Sequence, residues 1–308
     1  MAGKLLRGDT IATIGLAAAA LFIIVLLIAL AVELFSGSAA SISKFGISFL
    51  FGAKWNPDKE IFGALPFIYG TFLTSAIAVI IGLPISIGIA VYISERLNGH
   101  LTIGYGLGTL VDLLAAVPSV VYGLWGLLIF APLLRDYVEK PLNKSFSFIP
   151  LFGGTPYATS FFTAGVVLAI MIIPTMAAVS RDVLHSVPNS QREAMYALGA
   201  TDWEVTQKSV LPYARSGLFG AFILGLGRAV GETMAVTMVI GNAPTISPHL
   251  FTAGYSLSSL IANEFGEATG LFRSSIIEIA LILFFIALIV NFLARLLLWR
   301  ITRGKTTL

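Results

Sequence analysis

The chain has 308 residues, of which 57% are apolar and only 11% are charged. Soluble domains carry about 25% charged residues, so this composition excludes a soluble globular protein and indicates an integral membrane protein. The chain contains no cysteine, which excludes disulfide bonds and thiolate metal sites. His100, His185 and His249 are too far apart in sequence to suggest a metal site. The net charge of +3 reflects the orientation of the spans, and no nucleic-acid partner is expected.

Runs of about 20 residues with few or no charges predict six membrane-spanning helices. The fold class is therefore all-α integral membrane protein, and one domain covers residues 1–308. An even number of spans places both termini on the same side of the membrane. The predicted spans are residues 11–33, 65–94, 107–131, 157–180, 216–241 and 274–299.

The first span follows Lys4 and Arg7, and small residues follow it at positions 36–40. This arrangement is also found in secretory signal peptides. The apolar core is longer than the 7–15 residues of a signal-peptide h-region, so we expect an uncleaved membrane anchor.

Basic residues that flank the spans predict the orientation of the chain. A cluster formed by Arg295, Arg300, Arg303 and Lys305 lies at the end of the last span, where positive charges favour the cytoplasmic side. We therefore expect both termini in the cytoplasm. Residues 36–64, 135–156 and 242–273 then face outward, and they form either caps over a translocation path or a docking surface.

Three predicted spans contain a proline, namely Pro84, Pro118 and Pro174. Proline lacks an N–H and kinks a helix, and lipid cannot satisfy the carbonyl groups that are freed. Such breaks are expected to face protein or a water-filled path, and simple kinking for packing remains the alternative. Ser119 and Tyr122 follow the Pro118 break, where their hydroxyls either face the path or serve packing.

The fifth predicted span contains two ionisable residues, Arg228 and Glu232. Each costs roughly 2.5–3.5 kcal/mol at the centre of a membrane helix, and such residues usually serve a function. Their i, i+4 spacing would place both on one helix face. They would either form an ion pair that holds the helix or jointly line a cavity. Asp112 and Glu278 lie nearer the ends of spans, and Asp112 is kept as a candidate for the path.

The segment of residues 181–215 connects the fourth and fifth spans and contains two predicted short helices. Pro188 and the following polar residues stop one helix and cap the next, which runs over residues 191–198 and ends at Gly199. The second helix begins after Thr201 and is expected to stop before Pro212. Acidic and basic side chains nearly balance in this segment, whereas helices that rest on a bilayer surface are usually basic. Docking to another protein is therefore favoured over lying on the membrane.

This segment resembles the coupling loop of ABC importer permeases, whose pattern is Glu-Ala-Ala, three residues, glycine and a later Leu-Pro. Met195 replaces the third residue of that pattern, and Ser209 stands where an aliphatic residue is usual. The resemblance implies that the loop docks on a separate ATPase subunit. The matching residues are Glu193, Ala194, Gly199, Leu211 and Pro212.

Two further stretches narrow the resemblance. Residues 112–126 read Asp-Leu-Leu-Ala-Ala-Val-Pro-Ser-Val-Val-Tyr-Gly-Leu-Trp-Gly, and residues 227–236 read Gly-Arg-Ala-Val-Gly-Glu-Thr-Met-Ala-Val. Sulfate and molybdate permeases share the Arg-Ala-x-Gly-Glu core but continue with Phe-Gly. The sequence of these stretches is similar to that of the PstC family of phosphate importers, and the resemblance covers nearly the whole chain. It implies the type I ABC importer permease fold (MetI-like) and a place in the bacterial cytoplasmic membrane.

The same resemblance implies partners and a transport role. The expected partners are a PstA-like second permease, a PstB-like ATPase dimer that binds ATP and magnesium, and a PstS-like phosphate-binding protein; the chain itself needs no cofactor. Arg228 would then bind the phosphate oxyanion, and Glu232 could accept a hydrogen bond from a phosphate hydroxyl. Ser119, Tyr122 and Asp112 complete the candidate path.

Other classes of protein are less well supported by the sequence. No Gly-x-Ser-x-Gly or His-Glu-x-x-His motif indicates an enzyme. Residues 304–306 resemble the end of a P-loop, but Trp299 stands at the required upstream glycine. A sulfate or molybdate permease and an ion-coupled secondary carrier remain as alternatives, and a carrier does not account for the docking loop.

Overall fold

The computed structural model describes residues 2–97 and 101–303, with side chains described for residues 12–97 and 103–300. His100, Lys305 and the P-loop-like residues 304–306 lie outside these ranges. The described residues are almost entirely helical, and within them the only β-type pairings are two isolated bridges. The prediction of an all-α fold is therefore confirmed.

Twelve helices follow one another along the described part of the chain. They are α1 (Ala2–Gly37), α2 (Ala39–Phe45), α3 (Ser48–Phe51), α4 (Leu65–Arg96), α5 (Leu101–Ala115), α6 (Ser119–Phe146), α7 (Phe161–His185), α8 (Asn189–Ala197), α9 (Asp202–Gly231), α10 (Met234–Val239), α11 (Leu257–Glu264) and α12 (Gly270–Arg303).

Six of these helices are long and apolar enough to cross a membrane, namely α1, α4, α6, α7, α9 and α12. The predicted number of spans is thus confirmed, and the chain is a multi-pass membrane protein. Two π turns interrupt α6, one interrupts α9, and one forms the last turn of α4. A π turn inserts an extra residue into the helical ladder.

The third span differs from its prediction at residues 107–131. Pro118 adopts φ −59° and ψ 139°, so the helix stops at Ala115 and restarts at Ser119. Proline disfavours helical geometry in the residue before it, and this explains the break. The span is Ser119–Phe146, whereas α5, with 15 residues, is shorter than the ~20 residues that cross a bilayer.

The fifth span also differs from its prediction at residues 216–241. Helix α9 begins at Asp202 and ends at Gly231, so the second short helix predicted after Thr201 and the fifth span are one continuous helix. Pro212 does not stop the helix. It lies at the first turn after a π turn, where the helical ladder is already shifted and a missing N–H is tolerated.

Helix α7 lies at the centre of the fold and is the most buried of the six spans. Its apolar side chains pack against α4, α9 and α10. Helix α9 approaches α7 closely through small residues, because a Cβ on Gly217 would overlap Val183 and one on Gly225 would overlap Met176. Ala221, one turn from each glycine, is fully buried. Small residues allow such close contact between membrane helices.

Candidate functional site: the helix break at Glu232 and the 181–215 segment

The chain leaves helical geometry directly after Gly231. Glu232 has extended backbone angles, with φ −70° and ψ 128°, and α10 begins two residues later. Arg228 lies in the last turn of α9, where a positive charge is favoured by the helix dipole. The expectation that Arg228 and Glu232 share one face of a continuous helix is therefore wrong.

The two ionisable side chains have separate partners. Arg228 donates a hydrogen bond from Nη1 to Thr175 Oγ1 in α7 at 3.2 Å. Glu232 accepts one at Oε1 from the backbone N–H of Ala235 at 3.3 Å, which satisfies a free donor at the start of α10. Both residues belong to the described part of the chain, and no ion pair joins them there. This contradicts the alternative that an Arg228–Glu232 ion pair holds the fifth helix.

Arg228 keeps most of its donor capacity. A guanidinium group has five N–H donors, and only the bond to Thr175 joins Arg228 to the described residues. The side chain is half-buried. Thr175 was not identified as a candidate from the sequence. The available signal was the preceding residue, Pro174, which lacks an N–H and was expected to break the helix at this point.

The extended backbone at Glu232 is supported from α11. Ser258 donates a hydrogen bond from Oγ to the carbonyl oxygen of Glu232 at 2.8 Å. The first residue of α11, Leu257, donates its N–H to Thr71 Oγ1 in α4 at 3.0 Å. Unpaired backbone groups are costly inside a membrane, so these bonds account for a stable break at this position.

Tyr122 lies beside the break at Glu232, and Ser119 lies one turn before Tyr122 in α6. Gly123 allows α10 to approach α6, because a Cβ there would lie 2.9 Å from Ala235 Cα. The Tyr122 hydroxyl donates a hydrogen bond to the Leu114 carbonyl at 2.9 Å, so Tyr122 closes the Pro118 break. Ser119 is half-buried at the start of α6.

Asp112 has a different neighbour. Its Oδ1 lies 3.3 Å from Nη2 of Arg181 at the end of α7. This pair joins α5 to α7. The structure therefore gives Asp112 a contact that stabilises the fold, and it does not pair Asp112 with Arg228.

Glu278, which was predicted to lie near the membrane interface, is buried in α12. Its Oε2 atom has no hydrogen-bond partner among the described residues. Beside it, the Ser41 N–H donates to Ser274 Oγ at 3.1 Å and Ser41 Oγ lies 3.1 Å from Ser275 Oγ, and these contacts fasten α2 against the first turns of α12.

The 181–215 segment forms a knob at the end of the bundle. Helix α8 ends at Ala197, and Gly199 follows with φ +82°, a left-handed conformation that favours glycine. Thr201 and Glu204 then form a capping box at the start of α9. Tyr196, Leu198 and Trp203 are exposed on the knob. Of the residues that match the coupling-loop pattern, Glu193, Ala194, Gly199 and Pro212 are exposed and Leu211 is half-buried.

One buried ion pair ties this knob to α4. Arg192 contacts Glu95 through two hydrogen bonds, with Nη2–Oε1 at 2.8 Å and Nε–Oε2 at 3.0 Å. The sequence analysis counted Arg192 only in the charge balance and did not single out Glu95. A carboxylate directly at the end of a span was the available signal.

Comparison with known proteins identifies the family. The sequence pattern of the family described as "Binding-protein-dependent transport system inner membrane component" matches residues 82–303. The phosphate transport system permease protein PstC of Pasteurella multocida is 48% identical over 93% of this chain and 90% of that protein. The proteins of the same name from Mesorhizobium japonicum and Xylella fastidiosa are 46% and 42% identical, over 92% and 97% of this chain and 88% and 93% of theirs.

Solved structures show a similar fold. A chain of the MetNI methionine ABC transporter in an inward-facing conformation has a TM-score of 0.52 and 22% identity, covering 75% of this chain and 91% of that chain. A second crystal form of MetNI has a TM-score of 0.51 and 16% identity, covering 78% and 94%. The predicted MetI-like fold of type I ABC importer permeases is confirmed by this likeness. Because the sequence match to the PstC proteins extends over nearly the whole of both chains, this chain belongs to the PstC family of binding-protein-dependent transport permeases.

Proposed function

We propose that this chain is a permease subunit of an ATP-driven phosphate importer in a bacterial cytoplasmic membrane, with both termini in the cytoplasm. The observation that carries the proposal is Arg228, a half-buried guanidinium at a helix break with most of its donors unused by the described residues. The family membership supplies the class of cargo, because the relatives are named phosphate transport permeases.

The chemistry at the break suits a phosphate anion. The guanidinium fork of arginine matches the geometry of phosphate oxygens and binds them through charge-assisted hydrogen bonds. Thr175 holds one N–H of Arg228, which orients the remaining donors. Phosphate carries a proton at neutral pH, and the Glu232 carboxylate can accept a hydrogen bond from its hydroxyl. Sulfate, which is fully ionised, has no such donor.

The rest of the complex supplies energy and delivery. In this proposal, a PstA-like permease forms the other half of the path, and a PstS-like protein delivers phosphate from outside. A PstB-like ATPase dimer binds ATP and magnesium and docks on the knob of residues 181–215, so this chain has no catalytic role. The exposed aromatic and leucine side chains at Tyr196, Leu198 and Trp203 support docking of another protein.

The test is ATP-driven uptake of phosphate by the complete complex in proteoliposomes. We expect Arg228→Ala to lower uptake about 10–100-fold, since hydrogen bonds to a charged group contribute about 1.5–3 kcal/mol. Thr175→Val, which keeps the side-chain shape, should lower it about tenfold, because it removes a hydrogen bond donated by a charged group, which contributes about 1.5 kcal/mol at the lower end of the range. Arg295→Ala is the control, because that arginine is exposed on α12 and lies outside the candidate path, the knob and the outward segments.

Three outcomes would contradict the proposal. Wild-type uptake by Arg228→Ala in assembled complexes would remove Arg228 from the path. Uptake of sulfate or molybdate in place of phosphate would indicate a permease for another oxyanion. Uptake that continues without ATP would indicate a secondary carrier.

A further inference from the structure

Arg192 binds three segments of the chain at once. Besides its two bonds to Glu95, it donates from Nη1 to the Val187 carbonyl at 2.7 Å and from Nη2 to the Leu184 carbonyl at 3.1 Å. Glu95 ends α4, Leu184 lies in the last turn of α7, and Arg192 itself lies in α8. A single guanidinium group therefore joins the knob to the ends of two spans.

This ion pair is shielded from solvent. The side chains of Arg192 and Glu95 are only 12% and 9% exposed. The neighbouring pair Arg96–Asp202, with Nη1–Oδ2 at 3.0 Å, is 53% and 63% exposed. Exposed pairs contribute little, whereas removal of one partner from a buried pair leaves an uncompensated charge. The two adjacent pairs therefore differ in strength although both link α4 to the same knob.

Helix α8 has little other attachment to the bundle. None of its residues is fully buried, although Met195 packs against an apolar cluster at this end of the molecule. That cluster is built by the ends of α4 and α7 and the start of α9, with Ala90, Leu184, Val205 and Val210 among its members. Two exposed side-chain bonds add to this attachment, from Ser209 to the Gln191 carbonyl at 3.2 Å and from the Tyr196 hydroxyl to Asp202 Oδ1 at 3.2 Å. Arg192 is thus the main polar attachment of α8.

We propose that the Arg192–Glu95 pair is a positioning link that passes displacement of α8 to α4 and α7 when the ATPase moves. The inference rests on the proposed function, because it requires an ATPase docked on the knob. The bidentate geometry transmits both pulling and turning, since two parallel hydrogen bonds fix direction as well as distance. Pro84 lies inside α4, at a position where a helix can bend, so the end of α4 near Glu95 can follow α8.

The experiment measures phosphate uptake and ATP hydrolysis together in proteoliposomes that contain the complete complex. Glu95→Gln keeps the side-chain shape and removes the charge. We expect it to lower the phosphate taken up per ATP hydrolysed about tenfold, with the amount of assembled complex unchanged. Arg192→Lys should give an intermediate loss, because lysine keeps the charge without the fork. Arg96→Gln breaks the exposed neighbouring pair and should stay within about twofold of wild type.

A covalent replacement of the link distinguishes transmission from simple stabilisation. The chain contains no cysteine, so Glu95→Cys/Arg192→Cys can be joined by a short bifunctional thiol reagent. We expect low uptake per ATP before the reagent and recovery of at least half the wild-type ratio after it.

The outcomes separate the two proposals. A wild-type complex that takes up no phosphate would overturn the proposed function. If the wild-type complex transports and Glu95→Gln keeps the wild-type ratio, the link is overturned. If a single variant fails to assemble, the double-cysteine complex decides: recovery on cross-linking supports transmission, and assembled but uncoupled complexes after cross-linking overturn it.

Discussion

Gly70 provides a sharp test of how the end of the molecule opposite the knob is packed. It lies in α4 where this helix passes the backbone of Tyr255, and a Cβ built on Gly70 would overlap the carbonyl oxygen of Tyr255. Overpacking costs about 1–3 kcal/mol, and we take ~3 kcal/mol because the obstructing atom belongs to the backbone. Alanine gains ~1 kcal/mol over glycine in a helix. The net loss for Gly70→Ala is therefore ~2 kcal/mol.

This loss would be measured as thermal stability of the purified protein in detergent, followed by gel filtration after heating. A loss of ~2 kcal/mol corresponds to an apparent melting temperature lower by about 3 °C for a chain of this length. Gly88→Ala is the matched control, because it changes the same helix at a position with no neighbour within 4 Å. We expect Gly88→Ala to melt at or slightly above the wild-type temperature. Equal melting temperatures for the two variants would refute the packing argument.

Two other predictions concern the knob and the opposite end of the molecule. Gly199→Val should reduce assembly with the ATPase, because a branched residue at φ +82° costs about 1–2 kcal/mol; Gly199→Asn should assemble nearly normally, and equal pull-down of both variants would count against this. Burial raises the pKa of Glu264, which accepts hydrogen bonds from Trp55 and Tyr255. The folded state then keeps this proton to higher pH than the unfolded chain, so stability is full below the ordinary pKa and falls as pH rises through the raised one. Glu264→Gln should flatten that part of the melting-temperature curve, and an unchanged slope would contradict the assignment.

The six spans could be predicted because hydropathy reports directly on the cost of placing a segment in lipid. Pro118 predicts a kink inside one span, whereas in the structure one helix ends before it and another begins after it. Its consequence depends on the residues around it: the Tyr122 hydroxyl satisfies the Leu114 carbonyl across the break. A pattern of single residues does not contain that tertiary contact.

The end of α9 was harder to predict. Apart from the glycines, the residues between Gly227 and Val236 are all compatible with a helix. The i, i+4 spacing of Arg228 and Glu232 is also that of an ion pair on a helix. The helix nevertheless ends at Gly231, because contacts from distant segments stabilise the extended backbone at Glu232. Ser258 bonds to the Glu232 carbonyl, and Thr175 takes one donor of Arg228. Arg228 and Glu232 stand out in the sequence as ionisable residues in an apolar stretch, whereas the geometry around them depends on contacts with α7 and α11.

The length of helix α9 allows the helix to act as a lever. Its 30 residues span ~45 Å, and the close contact around Ala221 with α7 makes a natural fulcrum. The arm from Asp202 to Ala221 is ~28 Å and the arm from Ala221 to Arg228 is ~10 Å, so the helix is a lever with a ratio of about three. A sideways displacement of ~3 Å at the knob would move Arg228 by ~1 Å in the opposite direction. Since the Arg228–Thr175 hydrogen bond is 3.2 Å long, a movement of that size away from Thr175 breaks it. Rotation of α9 about this contact would thus couple a movement at the knob to the hydrogen bond that holds Arg228.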